Sequence, residues 1–392
     1  MNRLITSWGD FPVTRFPSDP RDPLRAWDAA DEYLLAHLAE SGTDLSGTVA
    51  VVGDRWGALV TALAAEAGDL VQISDSYLGR RATGDNLDRA GVDPGAVRLL
   101  TTQDPPPERI DVLLVRVPKS LALLEDQLHR LAPALHDGTV VVGTGMVKEI
   151  HTSTLTLFER ILGPTRTSLA VKKARLIHTT PGGHITPGGH ITPDGSGNPW
   201  PYRYELPADA PAGLAGLGVV NQAGVFCADR LDIGTRFLLE HLPRGLGDAR
   251  VVDLGCGNGV VGLAVALAEP EAQLLFTDES YQAVASAEEN FRTHAGPARK
   301  AEFAVGDGLA DTEPGSVDLV LNNPPFHSHQ ATTDRTARRM FAEARRALRP
   351  GGELWVVGNR HLGYHTTLRR IFGNSELVAG NPKFVVLRAV KR

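Results

Sequence analysis

The sequence predicts an α/β protein built from two tandem Rossmann-like domains that are related by internal duplication. Three observations support this fold class. Short β-branched runs alternate with helical stretches, the same landmarks recur in the same order in both halves, and a segment rich in Pro and Gly separates the halves. A chain of 392 residues also has enough material for two hydrophobic cores.

The composition is that of a globular protein, which we expect to be cytoplasmic. Hydrophobic residues make up 42% of the chain and charged residues 22%, and no apolar run approaches the length of a membrane span. Residues 1–16 carry charges and prolines where a signal peptide needs an apolar block. Cys227 and Cys256 support neither a disulfide framework nor a zinc cluster. Because the net charge is −6, any nucleic-acid contact must come from local basic patches.

The first half contains four short apolar runs that we assign to strands. Strands are predicted at 48–52, 70–73, 112–115 and 139–143, and helices at 26–40 and 58–66. Parallel strands need long crossover connections that usually contain a helix, so this alternation predicts a parallel sheet.

The landmarks of the two halves are spaced alike, which favours duplication over chance. They are Gly53, Asp75, Asp111 and Gly143 in the first half and Gly255, Asp278, Asp318 and Gly358 in the second. Successive landmarks lie 22, 36 and 32 residues apart in the first half and 23, 40 and 40 in the second.

In the second half, the predicted strand 251–254 runs directly into a loop with glycines at alternate positions. Gly255, Gly257 and Gly259 permit a tight turn and let a ligand lie against bare backbone at the start of the next helix. The third glycine comes one residue earlier than in dinucleotide-binding enzymes, and Asp253 stands two residues before the first glycine. This pattern fits S-adenosylmethionine (SAM) better than NAD.

The next predicted strand, 274–277, ends at an acid. Asp278 is placed to accept both hydroxyls of a ribose, a role found in SAM and NAD enzymes alike. It can also cap the following helix, whose predicted buried residues are Val284, Ala287 and Phe291. Upstream, the stretch 232–235 is predicted to start a helix, and Phe226 and Thr235 are candidate cofactor contacts.

The most informative stretch is the apolar strand 319–322, which runs into two prolines. Proline has no N–H, so the strand must end there and the following residues project beyond the sheet. The amide oxygen of Asn323 and the carbonyl of Pro324 can accept both hydrogens of an exocyclic amine, and Phe326 can stack on the ring that carries it. These three are the candidate catalytic residues.

Asn-Pro-Pro-Phe at 323–326 resembles the signature of SAM-dependent amino-methyltransferases. The stretches 322–327 and 278–281, with Thr333-Asp334, are similar to the ribosomal RNA guanine-N2 methyltransferases, and the branch acting on large-subunit (23S) rRNA is the nearer match. The resemblance implies that residues 202–392 form the seven-stranded sheet of a class I methyltransferase, with SAM as cofactor.

The resemblance also implies the site and the substrate. Asp307 would accept from the adenine amine, and the substrate would be an unpaired or flipped guanine in ribosomal RNA, methylated on its N2 amine without a metal. The full set of cofactor-binding candidates is Asp253, Gly255, Gly257, Gly259, Asp278, Asp307 and Asn323.

Residues 1–178 look like a methyltransferase domain that no longer binds SAM. Arg55 and Trp56 introduce bulk where the second copy has its glycine loop, and residues 116–119 keep one proline but lose the amide and the aromatic ring. We expect this degenerate copy to hold the RNA substrate.

Four alternatives stay open on the sequence. The substrate could be small-subunit (16S) rRNA, the side-chain amide of a protein glutamine, or a small molecule, and the chain could be an RNA-binding scaffold without activity. The last is disfavoured by the intact glycine loop together with Asp278 and Asn323.

Residues 179–201 contain a tandem hexapeptide and are predicted to be a linker without regular structure. His184 and His190 have no acidic or cysteine partner at ligand spacing, so no metal site is predicted. Two basic features are either solvated surface or phosphate contacts: the segment 168–176 and the polar face of a predicted helix at 336–349. That face carries Arg338, Arg339, Arg345, Arg346 and Arg349.

Overall fold

The structure is a computed structural model that describes residues 3–18, 23–182, 184–185, 191–192, 197–296, 298–325 and 330–392, with the backbone alone at 94, 184–185, 191–192 and 330–334. The chain divides into two compact units, 1–200 and 201–392. The predicted linker, 179–201, therefore groups almost entirely with the first unit.

The first unit contains eleven described strands and five α-helices. The strands are β1 Arg3–Thr6, β2 Gly9–Pro12, β3 Thr48–Val52, β4 Asp69–Ser74, β5 Val97–Thr101, β6 Val112–Arg116, β7 Val140–Met146, β8 Thr165–Thr167, β9 Ala174–Thr179, β10 His184–Ile185 and β11 Ile191–Thr192. The helices are α1 Ala29–Glu40, α2 Ala58–Leu63, α3 Tyr77–Ala90, α4 Leu121–Leu131 and α5 Thr152–Ile161.

The second unit contains nine described strands and five α-helices. The strands are β12 Tyr202–Glu205, β13 Gly218–Asn221, β14 Arg250–Leu254, β15 Gln273–Asp278, β16 Ala301–Val305, β17 Val317–Asn322, β18 Leu348–Asn359, β19 Glu376–Gly380 and β20 Phe384–Val390. The helices are α6 Ile233–Leu239, α7 Val260–Ala268, α8 Tyr281–Ala295, α9 Gln330–Ala347 and α10 Tyr364–Phe372.

Both units have the same seven-stranded sheet, which confirms the predicted duplication. The order is β5-β4-β3-β6-β7-β9-β8 in the first unit and β16-β15-β14-β17-β18-β20-β19 in the second. In each sheet six strands run in the same direction, and one strand, β9 in the first unit and β20 in the second, pairs antiparallel with both of its neighbours. Each unit also opens with an antiparallel hairpin, β1–β2 or β12–β13, which the sequence analysis did not predict.

The central strands were predictable because helices cover both faces of each sheet. Buried apolar residues form two clusters in each unit, one on either side of the sheet. Strands buried on both faces read as continuous apolar runs, as at 112–115, where every residue is apolar and buried.

The register of the sheets assigns equivalent residues and corrects two of the predicted landmark pairs. Gly53 matches Gly255, since each directly follows the central strand, and Asp111 matches Asp318. Both of these aspartates accept from the first N–H of the central strand, Asp111 from Thr48 at 2.9 Å and Asp318 from Arg250 at 2.8 Å.

The other two pairs are shifted. Val52 pairs with Ile73 and Leu254 with Thr277, so Ser74, and not Asp75, occupies the place of Asp278. By the same reasoning Gly145 corresponds to Gly358. Spacing alone misaligned them because the connections differ in length. The first copy therefore lacks the acid at the end of its second strand.

The helix predicted at 336–349 ends two residues earlier, at Ala347, because β18 begins at Leu348. Its predicted apolar face is confirmed, since all five residues lie in the core: Ala337, Met340, Phe341, Ala344 and Leu348.

The prediction that residues 179–201 contain no regular element is wrong for five residues, the first of which is Thr179, the last residue of β9. His184–Ile185 pairs antiparallel with Ile191–Thr192. The prolines of the hexapeptides lie outside these pairs, so their missing N–H groups do not interrupt the ladder. Further along, Asn198 donates to Asp126 at 2.7 Å and the Trp200 indole donates to Glu125 at 3.1 Å.

Two searches of the structure gave negative results within the described ranges. No helix there combines the length and the apolar character that a membrane crossing requires. The same residues contain no cluster of three or more potential metal ligands.

Candidate active site

The candidate residues of the second unit meet at one edge of its sheet. Parallel strands present their carboxyl ends on the same side, and ligands of open α/β sheets bind there, where the strand order reverses. Gly255 follows β14, Asp278 ends β15, Asp307 follows β16 and Asn323 follows β17, and these four strands are neighbours in the sheet. The structure thus brings together candidates that are far apart in sequence.

The three glycines of the loop have different physical reasons for being glycine. All three have positive φ, +70° at Gly255, +53° at Gly257 and +79° at Gly259. A Cβ on Gly259 would lie 2.7 Å from the Cβ of Ala287, so close packing against α8 excludes a side chain there. A Cβ on Gly257 would meet no atom within 4 Å, so its bare backbone faces open space, as a ligand cradle requires.

Asp253 is buried behind the loop, and its carboxylate accepts a hydrogen bond from the backbone of α7. It is 5% exposed, and its Oδ2 accepts from the N–H of Gly262 at 2.8 Å. Burial raises the pKa of this carboxyl to about 7, the bond from Gly262 opposes the shift, and nearby Asp278 adds to it. Its direct role in holding a cofactor stays a prediction; the contact observed fixes the first turn of α7.

Asp278 lies at the front of the loop, partly exposed. Its Oδ2 accepts from the N–H of Gly257 at 3.0 Å, and its Oδ1 accepts from the N–H of Ser280 at 3.1 Å. A carboxylate has further acceptor positions, so it can still receive the two hydroxyls of a ribose. Burial raises its pKa, against these backbone bonds.

The alternative role of Asp278 as a helix cap is wrong. The N-cap of α8 is Ser280, whose hydroxyl accepts from the N–H of Ala283 at 3.1 Å. A serine two residues after the strand suits the extended cap conformation, so Asp278 is left to bind the glycine loop.

Asp307 forms an ion pair that the sequence did not reveal. Arg339 of α9 approaches both of its carboxylate oxygens, at 2.6 and 2.9 Å, and lies 3.6 Å from Glu343. Glu343 in turn accepts from the N–H of Leu309 at 3.1 Å. The arginine pattern of the helix was the only signal of this contact, and it did not specify a partner.

Asn323 has one end of its amide bound and the other free. Its Nδ2 donates to the Thr235 hydroxyl at 2.9 Å and approaches Asp232 Oδ2 at 3.4 Å. Its Oδ1 is buried and has no hydrogen-bond partner among the described residues. The preceding Asn322 is fully buried and donates to the Leu254 carbonyl at 2.7 Å, which ties β17 to the strand before the glycine loop.

Two further catalytic candidates follow Asn323. Pro324 is buried directly beside it. Phe326 lies outside the described residues, so its stacking role stays a prediction.

The arginine face of α9 is largely used within the unit. Arg339 pairs with Asp307, Arg349 pairs with Asp318, and Arg346 donates to the carbonyls of Leu309, Ala310 and Thr312. Only Arg338 and Arg345 of the five stay exposed without a partner among the described residues. Three of the five arginines thus already bind groups of the second unit, and a phosphate contact by this face stays a prediction.

In the first unit, charged side chains fill the equivalent positions. Arg116, the last residue of β6, takes the place of Asn323 in the register of the sheet. It is fully buried and contacts Asp28 at 2.7 Å, Glu149 at 3.1 Å and Asp31 at 3.2 Å. Arg55, which replaces Gly257, joins this ion cluster through Glu149 at 3.0 Å.

Ionisation within this cluster follows its geometry. Burial opposes the ionised form of Glu149, but the guanidinium groups of Arg55 and Arg116 outweigh it and lower the pKa to about 2. Burial raises the pKa of Asp31 to about 7, although Arg116 opposes the shift. The space that a cofactor would need is occupied by protein.

The second unit can therefore perform a specific chemistry. Its glycine loop and Asp278 can hold a nucleoside with a negatively charged or zwitterionic tail near the start of α7. Its unpaired amide oxygen at Asn323 can accept a hydrogen from an amine brought to the same edge of the sheet.

Comparisons with known proteins agree with this arrangement. Residues 1–183 match the RLMG N-terminal domain, and residues 216–388 match the Methyltransferase small domain. The chain is 71% identical over 395 residues to the ribosomal RNA large subunit methyltransferase G of Streptomyces griseus subsp. griseus, with 100% of each chain covered. It is 49% identical over 388 residues to the protein of the same name from Ectopseudomonas mendocina, with 99% of each covered.

A solved structure shares the fold of the whole chain. The 16S rRNA N2 methyltransferase of T. thermophilus, in complex with AdoMet and guanosine, superposes with a TM-score of 0.74 at 22% identity. The match covers 100% of this chain and 98% of that one. At this identity the likeness establishes the two-domain fold.

The first prediction concerns Asp253. Its folded pKa of about 7 exceeds the ordinary value of 3.8, so the native protein binds a proton that the unfolded chain releases between these pH values. Stability therefore falls as pH rises from about 4 to 7. Asp253→Asn keeps the acceptor for Gly262 without a charge and should be more stable than the wild type by about 2–4 kcal/mol at pH 8.

Urea unfolding at pH 5 and pH 8 measures this difference, which should be smaller at pH 5. Asp311→Asn, at an exposed position, is the control, and its free energy of unfolding relative to the wild type should be the same at both pH values. If Asp253→Asn is no more stable than the wild type at pH 8, ionisation of the buried Asp253 carboxyl does not destabilise the native protein, and the prediction is wrong.

The second prediction concerns the ion cluster of the first unit. Arg116→Met would leave three acidic groups without their buried cation and should lower the free energy of unfolding by about 3–5 kcal/mol in urea denaturation. Arg55→Met removes a cation whose side chain is 36% exposed and should cost much less. Equal losses in the two variants would contradict a central role for Arg116.

Proposed function

Because this chain belongs to the ribosomal RNA large subunit methyltransferase G family, we propose that it transfers a methyl group from SAM to the exocyclic N2 amine of a guanine in large-subunit (23S) rRNA. Its relatives bear the name of a large-subunit enzyme, and they cover the chain from end to end. The guanine amine donates hydrogen bonds, and the free amide oxygen of Asn323 can accept one of them.

The residues of the second unit fit SAM, which supplies an electrophilic methyl group on a sulfonium centre. Gly257 would lie against the cofactor, since it faces open space at the start of α7. Asp278 would accept from the ribose hydroxyls, and Asp307 from the adenine amine. The ion pair between Asp307 and Arg339 leaves a carboxylate with further lone pairs for this bond.

The observation that carries the proposal is the unpaired Oδ1 of Asn323. A buried acceptor without a partner costs free energy, and such groups persist where a ligand satisfies them. Oδ1 would accept one hydrogen of the guanine amine and the Pro324 carbonyl the other.

This pair of acceptors would also activate the amine. The lone pair of the guanine amine is delocalised into the ring, and two acceptors in the right places favour a tetrahedral nitrogen with its lone pair directed at the methyl group. Transfer is then an in-line displacement that depends mainly on position. The proton becomes acidic once the nitrogen is methylated, so the site needs no strong base.

Two parts of the proposal rest on the sequence. Phe326 would stack on the guanine, which must be unpaired or flipped out of its helix to reach the sheet edge, and stacking of this kind is worth about 1–3 kcal/mol. The first unit would hold RNA, since its own cofactor position is filled by Arg55 and Arg116.

The reaction is tested with labelled SAM and separately purified large- and small-subunit rRNA, both lacking modifications. We expect label in the large-subunit RNA only. Label in the small-subunit RNA alone would reassign the substrate. Absence of label from both, with SAM binding confirmed, would overturn an RNA substrate and direct attention to protein or small-molecule amides and amines.

The third prediction concerns Asn323. Asn323→Ala should lower kcat by about 100-fold or more, because it removes an acceptor used in the transition state, and it should leave SAM affinity unchanged. Single-turnover methyl transfer and isothermal titration with SAM measure the two quantities. An equal loss of SAM affinity would show that Asn323 serves the cofactor and not the amine.

The fourth prediction concerns Gly257. Gly257→Val should abolish SAM binding, because the side chain would enter the space in front of the loop. Gly247→Val is the matched control: Gly247 has a φ of +55° against +53° at Gly257, and its Cβ would likewise meet no atom within 4 Å. The backbone strain is therefore the same in both. If Gly247→Val also lost SAM binding, backbone strain and not the filled space would explain the loss in Gly257→Val.

A further inference from the structure

The side-chain nitrogen of Asn323 contacts two residues at the start of α6, and these contacts distinguish the nitrogen of the amide from its oxygen. Asp232 is the N-cap of α6 and Thr235 is its third residue. We propose that Thr235 and Asp232 are positioning residues that fix the orientation of the Asn323 amide, so that its oxygen and not its nitrogen faces the substrate amine. The inference deepens the proposed function and rests on it for the identity of that amine.

The direction of the chain of hydrogen bonds follows from the carboxylate. Asp232 Oδ2 accepts from the N–H of Thr235 at 2.8 Å and lies 3.3 Å from the Thr235 hydroxyl. An ionised carboxylate can only accept, so the hydroxyl must donate its hydrogen to Asp232. The hydroxyl oxygen is then left as an acceptor, and only an N–H can face it.

Asn323 supplies that N–H. Its Nδ2 is 2.9 Å from the Thr235 hydroxyl oxygen and 3.4 Å from Asp232 Oδ2. A flipped amide would bring Oδ1 against two oxygen acceptors and point Nδ2 at the substrate amine, which is itself a donor. Both ends of the flipped amide would be repelled, so the helix start selects one orientation.

The selected orientation leaves Oδ1 buried and without a partner among the described residues. The negative charge of Asp232 also polarises the chain, since each hydrogen bond strengthens the next. The amide oxygen of Asn323 is therefore a better acceptor than that of a solvated asparagine. Its substrate would be an amine that donates, and not a carbonyl.

The backbone is shaped to bring this helix start close. Gly234 lies between Asp232 and Thr235 in the chain. A Cβ on Gly234 would lie 3.0 Å from Asp232 Oδ2 and 3.3 Å from the ring of Phe384, so a side chain there would crowd both residues. Thr235 is 8% exposed, so its hydroxyl is shielded from water that could compete for Asn323.

The first unit contains the same contact with different chemistry. Asp28 is the N-cap of α1 and Asp31 its third residue, and they bind Arg116 at 2.7 and 3.2 Å. In both copies the N-cap and the third helix residue therefore hold the same register position at the carboxyl end of the fourth parallel strand, Arg116 in the first copy and Asn323 in the second. In the copy without an amine site, an acid replaces the threonine and a guanidinium replaces the amide.

The test is a set of variants in the full-length protein, measured by methyl transfer to large-subunit rRNA and by SAM titration. Thr235→Val removes the acceptor at nearly constant volume and should lower kcat at least tenfold, with the SAM dissociation constant within twofold of the wild type. Thr235→Ser keeps the hydroxyl and should retain at least half of the activity.

The double variant separates positioning from a general structural effect. If Thr235 acts through Asn323, Thr235→Val should lower kcat by less than twofold when it is added to Asn323→Ala. An unchanged kcat in Thr235→Val overturns the inference. So does a tenfold loss that persists in the Asn323→Ala background, or one that is matched by a loss of SAM affinity, which would make Thr235 a cofactor contact.

A second readout does not depend on the substrate. In protein labelled with ¹⁵N-asparagine, the Asn323 side-chain protons are assigned by their absence from Asn323→Ala, and their exchange with water should be at least tenfold faster in Thr235→Val. Unchanged exchange overturns the inference whatever the activity. Faster exchange in a protein that methylates neither RNA would uphold the positioning contact and overturn the proposed function.

Discussion

The parallel pairing of β14 with its two neighbours is the constraint on which the site depends. β14 pairs in parallel with β15 on one side and β17 on the other, so the residues that follow these three strands must meet at one edge. The Asn322 side chain closes this arrangement with its bond to the Leu254 carbonyl. A glycine loop, an acid and an amide then lie side by side without any further element to gather them.

The duplicated fold shows which features belong to the scaffold and which to the chemistry. Both copies keep the strand order, the aspartate that accepts from the central strand, and a helix whose start holds a residue at the carboxyl end of the fourth parallel strand. They differ where a ligand would lie. Gly257 gives way to Arg55 and Asn323 to Arg116, which fill the space with a buried ion cluster, and Asp278 gives way to Ser74, which removes the acid.

The sequence predicted the strands and the placement of the site well, because the central strands are buried on both faces and parallel strands fix where their ends lie. It did not predict the partners of the site residues. Asn323 and Thr235 are 88 residues apart, and no periodicity encodes their contact. Asp307 and Arg339 likewise meet only through tertiary packing. Asp253 was predicted from its position before the glycines, yet its observed partner is the backbone of α7.

The ion cluster around Arg116 makes the loss of the first site an evolutionary one-way step. Regaining a cofactor position there would require Arg55 and Arg116 to be replaced, and the loss of Arg116 leaves Asp31 and Glu149 without their buried cation. An intermediate that has lost Arg116 but kept the acids around it would be less stable than the present protein. Selection on folding thus keeps the first copy free to specialise, even where no selection acts on its activity.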